Sequence, residues 1–145
     1  MTIDGLDDAA IRSVLTRVKT FAVVGASHKP ERPSYDVMRF LLATGYAVKP
    51  VNPGIAGKTI HDQLVHATLA DVPSPADVVD IFRTSDAVPG IISEVIAQKD
   101  RLGVSVIWMQ LGVINEDAAA KARAAGLTVI MDRCPKIEIG RLMRP

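Results

Sequence analysis

The sequence has only one cysteine, Cys134, so no disulfide can form within the chain and its stability must come from a packed core. Aromatic residues are scarce, at 4% of the chain, while hydrophobic residues approach half of it and are dominated by Ala, Val and Ile. That balance suits a compact α/β protein better than an all-β sandwich or a disordered chain. Neither sign of charge is in excess: 17 basic against 16 acidic residues leave a net charge of +1. No broad basic surface is therefore available for nucleic acid. No apolar run approaches the ~20 residues a membrane-spanning helix needs. The N-terminus, Met1-Thr-Ile-Asp-Gly-Leu-Asp-Asp, carries acids where a signal peptide places basic residues, and the expected location is the cytoplasm. Internal repeats and low-complexity segments are missing. His61 and His66 have no second ligand at metal spacing. No Ser-His-Asp order, paired-carboxylate motif or Walker loop is present, so no catalytic residue and no metal site are assigned.

A chain of 145 residues forms one domain around a single core, here residues 1–145, with a helix in residues 1–20 packing on it. Ile11, Val14, Leu15 and Val18 fall at helical spacing between Leu6 and Lys19. Phe21-Ala-Val-Val24 then reads as a buried first strand that stops at Gly25-Ala26-Ser27, a turn of small residues. Bare peptide N–H groups in such a turn, the Ser27 hydroxyl and the positive end of the next helix together form an anion site, with Lys29 and Arg32 supplying charge nearby. An ordinary strand-to-helix turn without a ligand is the alternative at this point.

Pro33 to Thr44 repeats the helical pattern and ends at Gly45, where a left-handed cap is wanted. Tyr46 to Gly54 is a second strand interrupted by Pro50 and Pro53. Residues 55–72 follow no clean period, although His61 to Ala70 could hold a short helix. Ala76 to Arg83 gives a third strand, broken in hydrophobicity by Asp80. A helix capped by Thr84 or Ser85 runs to Gly103. Val104 to Met109 is a fourth strand, Asn115 caps an Ala-rich helix that closes at Gly126, and Leu127 to Met131 is a fifth strand. A short helix or coil completes the chain to Pro145. Alternating strands and helices with apolar strands imply a Rossmann-like, doubly wound parallel sheet of about five strands covered on both faces. The expected strand order is 3-2-1-4-5, with a ligand crevice between the first and fourth strands.

Polar or unusual residues stand at all five strand ends: Gly25 to Ser27, Lys49 with Asn52-Pro53, Arg83, Trp108 with Gln110, and Arg133-Cys134. A dinucleotide is the first ligand to weigh. The first turn lacks G-x-G-x-x-G, however, and the second strand ends in Lys49 and Asn52 where an NAD site presents an acid. A cation there favours an extra phosphate, which NADP or coenzyme A would supply.

The ordered motifs Val23-Val24-Gly25-Ala26-Ser27, Pro50-Val51-Asn52-Pro53, Asp80-Ile81-Phe82-Arg83, Ile107-Trp108-Met109-Gln110-Leu111-Gly112 and Met131-Asp132-Arg133-Cys134 resemble those of the small stand-alone CoA-binding proteins. That family is similar to the N-terminal CoA-binding domain of the succinyl-CoA synthetase alpha subunit. The resemblance implies that CoA, or an acyl-CoA, lies across the rim. Gly25, Ala26, Ser27 and His28 would meet the nucleotide phosphates, Asn52 and Pro53 would flank the adenosine, and Trp108, Met109 and Gln110 would meet the ligand further along. Arg83 could bind a phosphate or pair with Asp80 or Asp132. Cys134 would stand near the thiol end, with Arg133 and Lys136 favouring its thiolate if they face it; a buried small hydrophobe is the other reading. Ile55 departs from the synthetase pattern, which has a lysine there, so the equivalent charge falls to Lys49, Lys58 or Arg32. The expected function is a CoA-binding carrier, sensor or regulatory module without its own catalysis, with scope for a protein partner. An NADP-dependent oxidoreductase or redox sensor using the same crevice is the alternative.

Overall fold

The structure is a computed structural model that describes residues 2–143. Met1, Arg144 and Pro145, the ends of the expected domain and tail, lie outside the described residues. Helix α1 (Asp8–Arg17) begins where the Asp7 carboxylate accepts a hydrogen bond from Ala10 N, and it buries Ile11, Val14 and Leu15. Strand β1 (Thr20–Val24) is buried along its whole length. Helix α2 (Pro33–Ala43) has Pro33 in its first turn and gives way at Gly45, which adopts φ +100°. Strand β2 (Ala47–Val51) follows.

The segment with no clean period contains no α-helix: it forms a two-stranded hairpin, β3 (Thr59–Ile60) with β4 (Gln63–Leu64), and then a single 3₁₀ turn at Leu69–Asp71. His61 and Asp62 make the hairpin turn at φ +49° and +67°, a left-handed geometry that short polar side chains tolerate. Strand β5 (Val78–Ile81) leads through a 3₁₀ turn at Ser85–Ala87 into α3 (Val88–Leu102), which Gly103 closes at φ +75°. Strand β6 (Val106–Met109), helix α4 (Glu116–Ala124), strand β7 (Thr128–Ile130) and helix α5 (Pro135–Leu142) complete the domain. Asn115 caps α4 as expected, its Oδ1 accepting from Ala118 N at 3.0 Å.

All five long strands are parallel, with the Rossmann-like architecture the pattern implies, but their order is β2-β1-β5-β6-β7. In terms of the five expected strands this is 2-1-3-4-5, not 3-2-1-4-5: the third strand lies between the first and fourth. The reason is visible in the residues. Pro50 lacks an N–H and suits an edge strand, and β2 lies at the edge of the main sheet, where Val51 makes one isolated bridge to His66. Strand β5 is buried at every position, as an interior strand must be. The winding therefore reverses between β1 and β5.

Alternate residues of each strand feed two cores. Val79, Ile81, Ile107 and Met109 join the α3–α4 side, and Phe21, Val23, Trp108 and Ile130 join the side covered by α1, α2 and α5.

The N-terminal segment is tied down by charge. Asp4 takes two hydrogen bonds from Arg133, at 2.8 and 3.0 Å, and one each from the Met131 and Leu6 amides. Burial alone would raise the Asp4 carboxyl, but Arg133 and the two amides outweigh it and hold its pKa below the ordinary value. A depressed carboxylate contributes stability that is present above the unfolded pKa and is lost as pH falls through the folded one. Asp4→Ala should therefore cost about 3 kcal/mol at neutral pH in urea unfolding, because the buried Arg133 guanidinium loses its two-bond partner and keeps only Glu138 and the Leu6 carbonyl. The difference from the parent should shrink in strongly acidic buffer.

Candidate functional site

The turn after β1 is stitched to the strands on both sides of it. Gly25 N and Ala26 N both donate to Val51 O, at 3.0 and 3.3 Å, Asn52 Nδ2 donates to Ala26 O at 2.8 Å, and Phe82 N donates to Val24 O at 2.8 Å. Gly25 has φ +84°. A Cβ at this position would overlap the Phe82 carbonyl oxygen and come within 2.9 Å of Arg83 Cδ, so only glycine lets the two strand ends approach. One expectation changes here. The Gly25, Ala26 and Ser27 amides are not bare, because Ser27 N donates to Ser34 Oγ at 3.1 Å, and the Ser27 hydroxyl accepts from Lys29 N at 3.1 Å. Capacity for an anion passes instead to the neighbouring side chains and to the start of α2, where Arg32 occupies the N-cap without a side-chain cap.

Beside this turn lies an open cleft of about 670 Å³. Gly25, Ser27, His28, Lys29, Arg32, Asn52, Arg83 and Gln110 line it. Pro53 lines an adjoining recess of about 470 Å³ that shares Gly25, Asn52 and Arg83 with the cleft. Lys29, Arg32 and Arg83 are exposed, and among the described residues none of them forms an ion pair. Arg83 pairs with neither suggested acid: Asp80 is fully buried without a hydrogen-bond partner, and Asp132 accepts from Gly112 N at 2.7 Å.

Several expected site residues are not brought to the cleft. The Lys49 ammonium donates to the Pro73 and Pro75 carbonyls, both at 2.8 Å, in the loop that enters β5; burial lowers its pKa, with Asp77 opposing. Ala26 is fully buried and contributes its carbonyl to the turn instead. Trp108 and Met109 are fully buried on opposite faces of β6, and the Trp108 indole N–H donates to Arg133 O at 2.9 Å. Cys134 is buried in the α1–α2–α5 core. Its two basic neighbours are engaged by Asp4, Glu138 and Asp36. Trp108 and Met109 are still within β6, where successive side chains alternate between the two cores, so neither reaches the rim.

The cleft also holds residues that the sequence reading passed over. Exposed Leu111, with Val113, adds an apolar wall. The segment that carries them is fixed from two sides. Ser85 Oγ accepts from Ile114 N at 3.0 Å, and Asp132, itself at φ +59°, accepts from Gly112 N. Asp132 stands in the quoted Met131-Asp132-Arg133-Cys134 motif, so a strained acid there could have been suspected of shaping this loop.

Residues 19–140 match the family model described as a CoA binding domain. The chain belongs to that family. An uncharacterized protein of Bacillus subtilis (strain 168), YneT, is 36% identical over 132 residues, which are 89% of this chain and 91% of the relative. A hypothetical protein from Pyrococcus horikoshii OT3 is 38% identical with a TM-score of 0.90, covering 99% of this chain and 97% of that one. The dinucleotide-forming acetyl-coenzyme A synthetase 1 of Ca. Korarchaeum cryptofilum, in its apo form, aligns with 81% of this chain but only 27% of its own, at 26% identity and a TM-score of 0.65. This member of the CoA-binding family thus corresponds to one part of a much larger synthetase. Its family membership supports a CoA-related role.

Gly25→Ala tests the stitched turn. The substitution should lower unfolding free energy by about 2 kcal/mol or more, from the left-handed backbone and the displaced β5 end, measured by urea denaturation.

Proposed function

We propose that this chain binds coenzyme A or an acyl-CoA across the cleft and holds it without transforming it, as a carrier, sensor or regulatory module. The observation that carries this reading is the trio of unpaired cations, Lys29, Arg32 and Arg83, around the uncapped start of an eleven-residue helix beside the Gly25 turn. An anion accommodated there gains charge-assisted hydrogen bonds without breaking an existing ion pair. The polyphosphate of CoA matches that end, and the apolar wall of Leu111 and Val113 suits the less polar pantetheine arm. Asn52 and Pro53, at the shared border of the cleft and the recess, suit the adenosine. Lys49, which suggested an extra phosphate of either NADP or CoA, is already bound to two carbonyls and supports neither; the family match is what favours CoA over the NADP-dependent alternative.

Isothermal titration calorimetry with CoA tests the reading. Arg32→Ala and Arg83→Ala should each lower affinity about tenfold, near 1.4 kcal/mol, while Lys49→Ala leaves it unchanged. Full affinity in both arginine variants would exclude this cleft as the phosphate site.

A further inference from the structure

Three buried side-chain atoms among the described residues have no hydrogen-bond partner: both carboxyl oxygens of Asp80 and Oε1 of Gln110. Groups of this kind are costly to bury unpaired, so each needs a physical account. Their placement relates them. Asp80 is level with Trp108 in the β5–β6 pairing, and Gln110 N donates to Ile81 O at 3.3 Å, so the alignment continues past the last residue of β6. Trp108 belongs to the α1–α2–α5 core, and so does Val78, two residues before Asp80. Side chains alternate along a strand, so Asp80 and Gln110 both project to that face as diagonal neighbours, a spacing a glutamine can bridge. Gln110 is the nearer of the two to the cleft and lines it; Asp80 lies one step deeper and is fully buried.

Chemistry supplies the link. An ionised Asp80 has no hydrogen to give, and Gln110 Oε1 can only accept. One proton on Asp80 supplies the donor that Gln110 Oε1 lacks and removes the buried charge, leaving the other carboxyl oxygen as a neutral acceptor. We propose that Asp80 is a protonated acid whose O–H donates to Gln110 Oε1, directly or through one enclosed water, and so fixes the amide with Nε2 turned to the cleft. Asp80 is then a positioning residue, and the ligand group read by Gln110 Nε2 is a carbonyl, amide or acyl, on the arm of the bound molecule. Burial pushes the Asp80 pKa well above the ordinary value, in keeping with this arrangement, and no cation forms an ion pair with it among the described residues. A neutral donor at this depth avoids the cost of a buried charge while removing the freedom of Gln110 to flip.

This inference rests on the CoA reading, and its test separates the two. CoA and adenosine 3′,5′-bisphosphate, which lacks the arm, are titrated into the parent, Asp80→Leu, Asp80→Asn, Gln110→Ala and the Asp80→Leu/Gln110→Ala double variant. Asp80→Leu and Gln110→Ala should each bind CoA about tenfold more weakly, the double variant no more weakly than either, and all should bind the bisphosphate as the parent does. Asp80→Asn keeps a neutral donor and should retain CoA affinity. Parent-like CoA binding by Asp80→Leu, or additive losses in the double variant, would overturn the proposal. Infrared spectroscopy gives a readout that needs no ligand and survives a failure of Asp80→Leu to fold. The parent at neutral pH should show a protonated-carboxyl stretch that is lost in Asp80→Asn and shifted in Gln110→Ala. Its absence from the parent would also overturn the proposal. If the parent binds no CoA yet shows the band and its shift, the CoA reading fails while the Asp80–Gln110 link stands.

Discussion

The contact of the Gly25 backbone with the end of β5 is the constraint on which the site depends. Where the winding reverses, the chain leaving β1 must turn between two neighbouring strand ends without separating them. It does so by bonding Val51 O on one side and leaving Val24 O to Phe82 N on the other. The absence of a Cβ at Gly25 lets the Phe82 carbonyl and the Arg83 side chain close on the turn. Arg83, Asn52 and the start of α2 thereby face one opening, although they come from separate parts of the sequence.

The electrostatics of the domain separate structural cations from available ones. Arg133 is consumed by Asp4 and Glu138, Arg141 by Asp8 and Glu138, and Lys136 by Asp36. Arg101 donates to the Val72, Leu69 and Ala70 carbonyls, and Lys49 is similarly occupied by backbone oxygens. Against this background the cluster of Lys29, Arg32 and Arg83 at one cleft is a local excess of positive charge in a chain whose net charge is only +1. Such a field favours a small multivalent anion over an extended one.

The sheet and its helices were legible because periodicity reports burial directly: each expected strand is present, and Gly45 and Gly103 take the left-handed conformations their places suggest. The strand order was less legible, since apolar patterning identifies strands but not neighbours; Pro50 on β2 was the one local clue to an edge. The hairpin after β2 escaped because its strands are two residues long, too short for any period to register. At the site, Gly25, Ser27, Asn52, Arg83 and Gln110, singled out at strand ends, all line the cleft. Lys49, Trp108, Met109 and Cys134 were assigned to it from their position in the sequence, and their side chains point elsewhere. A lysine's reach allows several partners, and only the fold selects between a ligand phosphate and two backbone carbonyls.

A titration of the isotope-labelled protein with CoA, followed by amide chemical shifts, tests directly whether the ligand lies in the cleft. Binding there should give saturable shifts at Ser27, His28, Lys29, Arg83, Leu111 and Gly112, the segments that line or support the cleft, with little change at Lys49 and Cys134. Shifts centred on α5 and Cys134, or none at millimolar CoA, would contradict that placement.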